Sequence, residues 1–287
     1  MIFVPLLLGQ LFALAVHNRF SWHAFVLTHL FGMLYQVYLL YTNDHADEVT
    51  DKSNQQFFLS GGSRVLPQGK LRANNLLLGA RVVLVSLVLL TGVVALYHDR
   101  PWLPAGLLGA VALCWAYNRK PLQLSYRGHG EVLQGLGCGV VLPLIGYYMQ
   151  NGSLHGFPWW TLLPLFLVFY AGNIITALPD FCSDQTSRKN TIPVRYGQQS
   201  ARYLAVLLLA MAYVSLVGVE PAIGSGARAS IVLPSLFVLL VVVGSGFIRT
   251  ADVSNFLRCK AFVAAISASQ AWFLCAWCGA LLVQTLG

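Results

Sequence analysis

An all-α, polytopic membrane protein is the fold class that the sequence predicts, and three observations support it. Of the 287 residues, 57% are hydrophobic and only 10% are charged, and the mean hydropathy is +0.66, which is outside the usual balance of soluble domains. Apolar runs long enough to cross a bilayer recur along the whole chain. No polar segment between them is large enough for a separate soluble domain. We therefore expect residues 1–287 to form a single transmembrane domain, a bundle of about nine helices.

The predicted spans follow one another with short connections. The first run, MIFVPLLLGQLFALAV, lacks the basic start and the small-residue cleavage site of a signal peptide, so we interpret it as a retained first span. Most of the other runs approach the roughly 20 residues that a helix needs to cross about 30 Å of hydrocarbon. The expected spans are 2–17, 22–42, 75–97, 102–118, 131–150, 159–178, 202–219, 229–249 and 261–284.

The distribution of basic residues predicts the orientation in the membrane. Of the 18 Lys and Arg residues, only Arg19, Arg100 and Arg228 lie outside the loops and helix ends that follow spans two, four, six and eight. The positive-inside rule then places the N-terminus in the cytoplasm and the C-terminus outside, as expected for a bacterial inner membrane protein. Because the net charge of +8 describes one membrane face, nucleic-acid binding is not expected.

Two acidic clusters follow the second and sixth spans. In NDHADEVTD (43–51), Asn43, Asp44, Asp47 and Asp51 fall within an arc of about 100° if the helix continues past the span. The second cluster, PDFCSD, places its aspartates at 180 and 184, which is one helical turn. Like charges at this spacing repel, and carboxylates near the membrane core are costly. Two such clusters at the same depth predict a bound cation rather than a solvated helix end.

The oxygen ligands of both clusters favour a hard divalent ion, and Mg²⁺ often shares its coordination shell with phosphate oxygens. Basic residues in three loops on the same face would complete a diphosphate site, although each alone is equally consistent with the positive-inside bias. Apolar helices behind such a site suit a lipid diphosphate. The candidate metal ligands are Asn43, Asp44, Asp47, Asp51, Asp180 and Asp184, and the basic residues are Arg64, Lys70, Arg119, Lys120, Arg188, Lys189 and Arg195.

These motifs resemble those of the UbiA superfamily of intramembrane prenyltransferases. NDHADEVTD matches its NDxxDxxxD motif, and DFCSD matches its DxxxD motif. RVLPQGKL at 64–71 looks like its RPLPSGxL loop with Val65 in place of proline, and RKNTIPVRYG at 188–197 looks like the stretch after its second motif. The resemblance covers nearly the whole chain. It implies an active site at the cytoplasmic side, a Mg²⁺ cofactor, and transfer of an isoprenoid from a prenyl diphosphate to an aromatic acceptor within the lipid bilayer.

The resemblance also implies roles for individual residues. The catalytic carboxylates would be Asp47, Asp51, Asp180 and Asp184, and diphosphate contacts are expected from Arg64, Lys70, Tyr117, Lys120 and Lys189. No nucleophilic Ser or Cys is required. Three tyrosines at helical spacing in span two, Tyr35, Tyr38 and Tyr41, either stabilise an allylic cation through their rings or serve in packing and interfacial anchoring.

A third segment indicates the acceptor. YNRKPLQLSYRGHGEVLQGLGCG at 117–139 looks similar to the PPLRLSYRGLGE segment of the menaquinone-pathway branch, which prenylates 1,4-dihydroxy-2-naphthoate, and differs from it at Arg119-Lys120 and His129. Arg127, whose guanidinium suits a carboxylate, either contacts the acceptor or is a plain topogenic charge. His129 either contacts a ring hydroxyl of the acceptor or is an incidental loop histidine. Glu131 is either a base or a helix-start residue favoured by the helix dipole.

Other classes of function share some of these features. A transporter would also have many spans, but there is no convincing inverted repeat, and the carboxylates gather at one face instead of the midplane. A UbiA-type terpene cyclase would share the metal site without using an aromatic acceptor. A prenyltransferase acting on another acceptor would share the whole arrangement.

Overall fold

The computed structural model describes residues 2–48, 63, 65–219 and 223–286, and every regular element within these ranges is helical. This confirms the all-α fold class. A π-helical turn lies at Gly137–Val141, and 3₁₀ turns lie at Leu124–Tyr126 and Trp159–Thr161. In chain order, the helices are α1 (Phe3–His17), α2 (Trp22–Ala46), α3 (Ala73–Tyr97), α4 (Leu103–Asn118), α5 (Gly130–Asn151), α6 (Leu162–Ala177), α7 (Phe181–Thr186), α8 (Ile192–Tyr196), α9 (Gln198–Val219), α10 (Ser225–Gly244), α11 (Phe247–Thr250) and α12 (Phe256–Leu286).

Seven helices in the described ranges are long and apolar enough to cross a membrane: α2, α3, α5, α6 with its preceding turn, α9, α10 and α12. Helices α1 and α4 are apolar but shorter, at 15 and 16 residues. They lie at the predicted first and fourth spans. The multi-pass membrane architecture is therefore confirmed, while the count of nine spans stays a prediction.

The outer surface of the bundle is apolar, as a lipid environment requires. On α3, the exposed residues Leu78, Val82, Val85, Leu89 and Val93 follow one another at intervals of three or four, so they form one stripe along the helix. A continuous apolar stripe of this length is rare on the surface of a soluble monomer. We conclude that this stripe faces lipid.

Exposed tryptophans mark one end of the bundle. Trp22 begins α2, Trp102 directly precedes α4, and Trp160 lies in the turn before α6. All three side chains are largely exposed. Tryptophan is enriched where a protein meets the membrane–water interface, and these three lie at the end that the basic residues predict to be external.

Helix α5 lies between the two halves of the bundle, and glycines permit its close packing. A Cβ atom at Gly9 of α1 would overlap the Pro143 carbonyl, and one at Gly146 would overlap the Leu6 carbonyl. At the π turn, a Cβ on Gly139 would come within 2.5 Å of the α6 backbone. Small residues at such crossings let membrane helices approach closely. Helices α1, α5 and α6 are thereby held in contact along the middle and second half of α5.

Buried polar side chains also join the helices. The Gln10 amide of α1 donates to the Thr28 hydroxyl of α2 at 2.9 Å. Arg202 of α9 is fully buried and donates to the carbonyls of Ile248 and Ala251, both at 2.7 Å. Those carbonyls lie in α11 and at its C-terminal end, so the guanidinium satisfies groups that a helix end leaves unpaired. This contact fixes the turn between α10 and α12 against α9.

Candidate active site

The first acidic motif lies at the C-terminal end of α2. The helix extends beyond the predicted span end at residue 42, so Asn43 and Asp44 are helical, and Asp47 is the residue that caps the helix. The buried Asp44 carboxylate accepts a hydrogen bond from the Ser63 hydroxyl. The helix therefore continues past the predicted span, and the first part of the motif lies on its last turn. The predicted ligand Asp51 and the predicted diphosphate contact Arg64 lie outside the described residues.

Asn43 contacts a residue that the motif analysis did not single out. The buried Asn118, the last residue of α4, donates its amide to Asn43 Oδ1 at 2.6 Å. This bond ties the end of α4 to the first acidic motif. The only signal in the sequence is the position of Asn118 beside Tyr117, in the YNRKPL stretch that follows the fourth span.

The second acidic motif forms the short helix α7 and the turn after it. Asp180 is the N-cap residue of α7, and Asp184 is buried within it. The Thr191 hydroxyl donates to Asp184 Oδ2 at 3.1 Å, and the Lys189 N–H donates to the Asp184 carbonyl at 2.8 Å. Arg188 adopts a left-handed conformation with φ of 56°. Because the chain turns here, Lys189 stays next to Asp184, to whose carbonyl its backbone N–H is bonded.

Lys189 links the two motifs. Its Nζ lies 3.0 Å from Asp47 Oδ2, and the two side chains are only 12% and 20% exposed. The Tyr126 hydroxyl donates to the other Asp47 oxygen at 3.1 Å. The Lys189 ammonium also lies 5.5 Å from the centre of the Tyr126 ring, within the range of a cation–π contact. A buried cation from the second motif's loop therefore contacts the first motif.

The charges at this junction influence one another. Burial raises the pKa of Asp184 to about 7; the Lys189 ammonium opposes that rise, and the nearby Asp180 carboxylate adds to it. Burial alone would lower the pKa of Lys189, but Asp47, Tyr117 and Asp184 outweigh it and hold that pKa well above its ordinary value. Lys189 is therefore a permanent positive charge at neutral pH.

The segment 124–131, LSYRGHGE, is hydrogen-bonded to the loop that carries Lys189. The Asn190 N–H donates to the Tyr126 carbonyl at 3.2 Å. The Glu131 side chain, only 2% exposed, accepts the Ile192 N–H on Oε1 at 2.7 Å. Gly128 has φ of +83°, and a Cβ there would come within 3.0 Å of the Asn190 carbonyl. Glu131 thus lies in the first turn of α5 and also binds the segment after the second motif. Its position in the sequence alone did not reveal that contact.

A cleft opens beside the first motif between α2, α4 and α5, and we call it the central cleft. Its polar lining consists of Asn43, Tyr117, Asn118 and Gln134. The remaining wall is mostly apolar and includes Leu39, Leu113, Cys114, Leu133 and Leu142. A cleft with one polar part and an apolar interior suits an amphiphilic molecule with a polar head.

The tyrosines of span two have separate surroundings. Tyr35 lines the central cleft, and its hydroxyl donates to the Ala110 carbonyl at 2.8 Å. Tyr38 is buried and stacked with Tyr35 at a ring distance of 6.3 Å. Tyr41 instead packs towards Gly79 of α3. Of the three, Tyr35 is the one whose ring adjoins the cleft, whereas Tyr41 is a packing residue.

Four predicted contact residues have exposed side chains and do not line the central cleft: Lys70, Lys120, Arg127 and His129. The Arg127 guanidinium donates to the Pro121 carbonyl at 2.7 Å. This bond holds the Arg127 side chain against its own loop. The roles assigned to these four residues stay predictions.

Among the described positions, no three His, Cys, Asp or Glu side chains converge as a group that could hold a metal ion. The predicted metal ligands that lie in the described ranges nevertheless offer only oxygen donors: the Asn43 amide and the carboxylates of Asp44, Asp47, Asp180 and Asp184. Such a donor set matches the preference of hard divalent cations.

Comparison with known proteins gives relatives by sequence and by fold. Over 134 residues, the chain is 26% identical to 1,4-dihydroxy-2-naphthoate octaprenyltransferase of Bacillus subtilis (strain 168). That alignment spans 46% of this chain and 43% of the relative, less than half of its length.

Two solved structures have a similar fold. One is a UbiA homolog from Archaeoglobus fulgidus bound to DMAPP and Mg²⁺, with a TM-score of 0.65, 15% identity, and coverage of 96% of this chain and 94% of that one. The other is the apo structure of a UbiA homolog from Aeropyrum pernix K1, with a TM-score of 0.68, 15% identity, and coverage of 98% and 96%. The sequence profile of the UbiA prenyltransferase family matches residues 2–266. This multi-pass membrane protein therefore belongs to the UbiA prenyltransferase family.

Proposed function

We propose that this protein transfers an isoprenoid chain from a prenyl diphosphate to an aromatic acceptor of quinone biosynthesis, with residues 1–287 acting as one domain. The observation that carries the proposal is the contact of 3.0 Å between the buried Lys189 ammonium and Asp47. That contact joins a permanent cation to the first acidic motif, and Asn43 of the same motif lines a cleft with an apolar interior. This combination suits a diphosphate head attached to a hydrocarbon tail.

The donor's allylic C1–O bond would break with its electron pair leaving on the diphosphate. Lys189 would stabilise the departing negative charge, because a charge held in a buried site acts more strongly than one in water. An aromatic carbon of the acceptor would supply the electron pair of the new C–C bond. The ring would then lose a proton, or carbon dioxide from a carboxyl-bearing carbon. Further diphosphate contacts are proposed from Arg64, Lys70, Tyr117 and Lys120.

Mg²⁺ is the proposed cofactor, and the donor set fits it because only oxygen atoms are offered. Asn43, Asp44, Asp47, Asp180 and Asp184 would hold it, together with Asp51. Bound there, Mg²⁺ would offset the negative charge of the diphosphate. The A. fulgidus homolog bound to DMAPP and Mg²⁺ supports this assignment.

The first-choice acceptor is 1,4-dihydroxy-2-naphthoate. The LSYRGHGE segment supports this choice, as does the name of the B. subtilis relative. Arg127 is proposed to pair with the acceptor's carboxylate, and His129 to contact a ring hydroxyl. The bias of basic residues supports a site at the cytoplasmic face of a bacterial inner membrane.

Product mass spectrometry tests the proposal. The purified protein, with Mg²⁺, is incubated with prenyl diphosphates of several chain lengths and a panel of aromatic acceptors. We expect a prenylated product only when an acceptor is present. A hydrocarbon or an alcohol formed from the diphosphate alone would instead identify a terpene cyclase. Product from another acceptor but none from dihydroxynaphthoate, with any donor, would reassign the acceptor.

A further inference from the structure

A second pocket lies between α2, α3 and α4, near the ends that the basic residues predict to be cytoplasmic, and we call it the basic pocket. It has a volume of about 270 Å³. Two arginines line it: Arg81 of α3, and Arg119, which caps α4. Its described lining residues include no aspartate or glutamate, and neither guanidinium forms an ion pair within the described part of the chain. The pocket therefore presents positive charge to an anion.

The two arginines lie at the same depth in the bundle. Arg81 lies sixteen residues before Tyr97, where α3 ends, and Arg119 lies sixteen residues after Leu103, where α4 begins. The two helices are antiparallel neighbours, so each arginine is about 24 Å from the turn that joins them. The exposed Trp102 in that turn marks one membrane–water interface. In a hydrocarbon layer about 30 Å thick, the arginines then lie close to the opposite headgroup layer.

The basic pocket opens towards lipid. Arg81 is exposed on α3 beside Leu78, which belongs to the lipid-facing stripe. Trp115 of α4 also lines the pocket and is 45% exposed. Farther from the predicted cytoplasmic end, the wall is formed in part by Leu84 and Tyr38. A guanidinium on the lipid side of a membrane helix is costly unless a counter-charge meets it. A ligand with an anionic head and an apolar tail suits this surface.

The contact between α2 and α4 separates the basic pocket from the central cleft. Thr42 Oγ1 lies 3.3 Å from Cys114 Sγ, and the Asn118 amide donates to Asn43 Oδ1 at 2.6 Å. Thr42 lines the pocket, Asn43 lines the cleft, and Cys114 and Asn118 line both. Neither arginine of the pocket lines the cleft. A diphosphate bound in the cleft would therefore leave both guanidiniums without an anion.

We propose that the basic pocket binds an anionic membrane phospholipid, with the headgroup phosphate between Arg81 and Arg119. Guanidinium groups suit phosphate oxygens, and basic pockets between membrane helices on the cytoplasmic side recognise anionic headgroups. An acyl chain of the same lipid lies against Leu84 and continues along the stripe of α3. The phosphate thus joins α3 to the end of α4, where Asn118 holds Asn43 of the first acidic motif.

Lipid competition followed by native mass spectrometry tests the site. Delipidated protein in a neutral detergent is offered equal amounts of phosphatidylglycerol and phosphatidylcholine with identical acyl chains. We expect wild type to retain phosphatidylglycerol with a preference of about tenfold, as for hydrogen bonds to a charged group. Arg81→Gln and Arg119→Gln should each reduce the preference to about twofold or less. Arg258→Gln removes the same charge from an exposed position at the start of α12. It is the matched control and should retain the wild-type preference.

Thermal unfolding provides a readout that needs no variant, in case the glutamine variants do not fold. Phosphatidylglycerol at about one hundred times its dissociation constant should raise the Tm of wild type about 3 °C or more above the value in phosphatidylcholine. The reason is that a ligand bound only by the folded state stabilises that state. Equal Tm values in the two lipids would overturn the proposal, as would an unchanged lipid preference in both glutamine variants.

Tryptophan quenching locates the bound lipid. Phosphatidylglycerol with brominated acyl chains should quench part of the wild-type fluorescence, and that part should be missing in Trp115→Phe. Identical quenching in both proteins would mean that the lipid binds elsewhere. Displacement of phosphatidylglycerol by a prenyl diphosphate or by dihydroxynaphthoate would show that the pocket is a substrate site and would also overturn the proposal. These measurements involve no turnover, so a failure of the proposed prenyl transfer would leave their results unaffected.

Discussion

The Lys189 ammonium and the Asp47 carboxylate form a mostly buried ion pair of 3.0 Å, and the Tyr126 hydroxyl occupies the second carboxylate oxygen. Removing one member of a buried pair leaves an uncompensated charge, which is far more costly than losing a surface contact. Lys189 also lies near Asp184. In the described ranges, its ammonium group therefore interacts with carboxylates of both motifs.

Lys189→Ala should reduce kcat/KM for the prenyl diphosphate by about a hundredfold or more, because it removes the cation expected to stabilise the leaving group. Lys189→Arg keeps the charge and should lose less. Steady-state kinetics at varied donor concentration is the measurement. Lys260→Ala, which removes a lysine stacked on Phe256, is the control and should stay near wild type. Equal activity of Lys189→Ala and wild type would exclude Lys189 from the site.

Asp47→Asn and Asp184→Asn should each lower activity about a hundredfold or more while the protein remains inserted and folded. Each change deletes a negative charge and nearly preserves the shape of the side chain. Asp99→Asn is a suitable control, since Asp99 is exposed with φ of 53°, a conformation that asparagine also adopts readily. Rates close to wild type in both motif variants would mean that these clusters are not the catalytic site.

Chelation should abolish turnover. EDTA-treated membranes carrying the protein are expected to form no prenylated product, and added Mg²⁺ should restore it, because both motifs offer oxygen ligands and the proposed donor is a diphosphate. Product is measured by mass spectrometry before and after the ion is returned. Full activity in metal-free membranes would contradict a divalent-ion requirement.

The loop after α4 should face the cytoplasm. In a variant whose native cysteines are replaced, including the exposed Cys182 and Cys275, Lys120→Cys should react with a membrane-impermeant thiol reagent only from the cytoplasmic side. Ser153→Cys, in the connection after α5, should react only from the outside. The reverse labelling pattern would invert the topology predicted from the basic residues.

Arg127→Lys should raise the apparent KM for the aromatic acceptor about tenfold and leave the KM for the prenyl diphosphate little changed. The expected reason is that lysine cannot reproduce a two-point contact with a carboxylate. Acceptor and donor titrations on the same preparation provide the comparison. If both KM values change equally, Arg127 does not bind the acceptor, and its role is to hold its own loop through the bond to the Pro121 carbonyl.

Much of the helical layout was predictable, because apolar runs of bilayer length have few alternative structures. The span predicted at 75–97 corresponds to α3 at Ala73–Tyr97. The last span was predicted to begin at residue 261, whereas α12 begins at Phe256. The sequence predicts Arg258 and Lys260 to lie before that span, in the connection or at its helix end. Long basic side chains can extend from a helix towards water, and Lys260 lies 4.4 Å from the Phe256 ring.

The arrangement of the candidate site was only partly predictable. The motif residues around Asp47 and Asp184 could be named as a set, because the spacing of like charges is visible in the sequence. No local sequence pattern distinguishes Lys189 from the other basic residues. Its burial depends on the contacts between segment 124–131 and the loop that carries it.

The ion pair between Lys189 and Asp47 also has a consequence for how the protein is made. The two residues are 142 positions apart in the chain. At the usual rate of protein synthesis, roughly ten to thirty seconds separate their emergence from the ribosome. During that interval, the nascent α2 carries Asp47 before its ammonium partner has been translated. Free cations in the cytoplasm, or the insertion machinery, must screen this carboxylate until the second half of the bundle arrives.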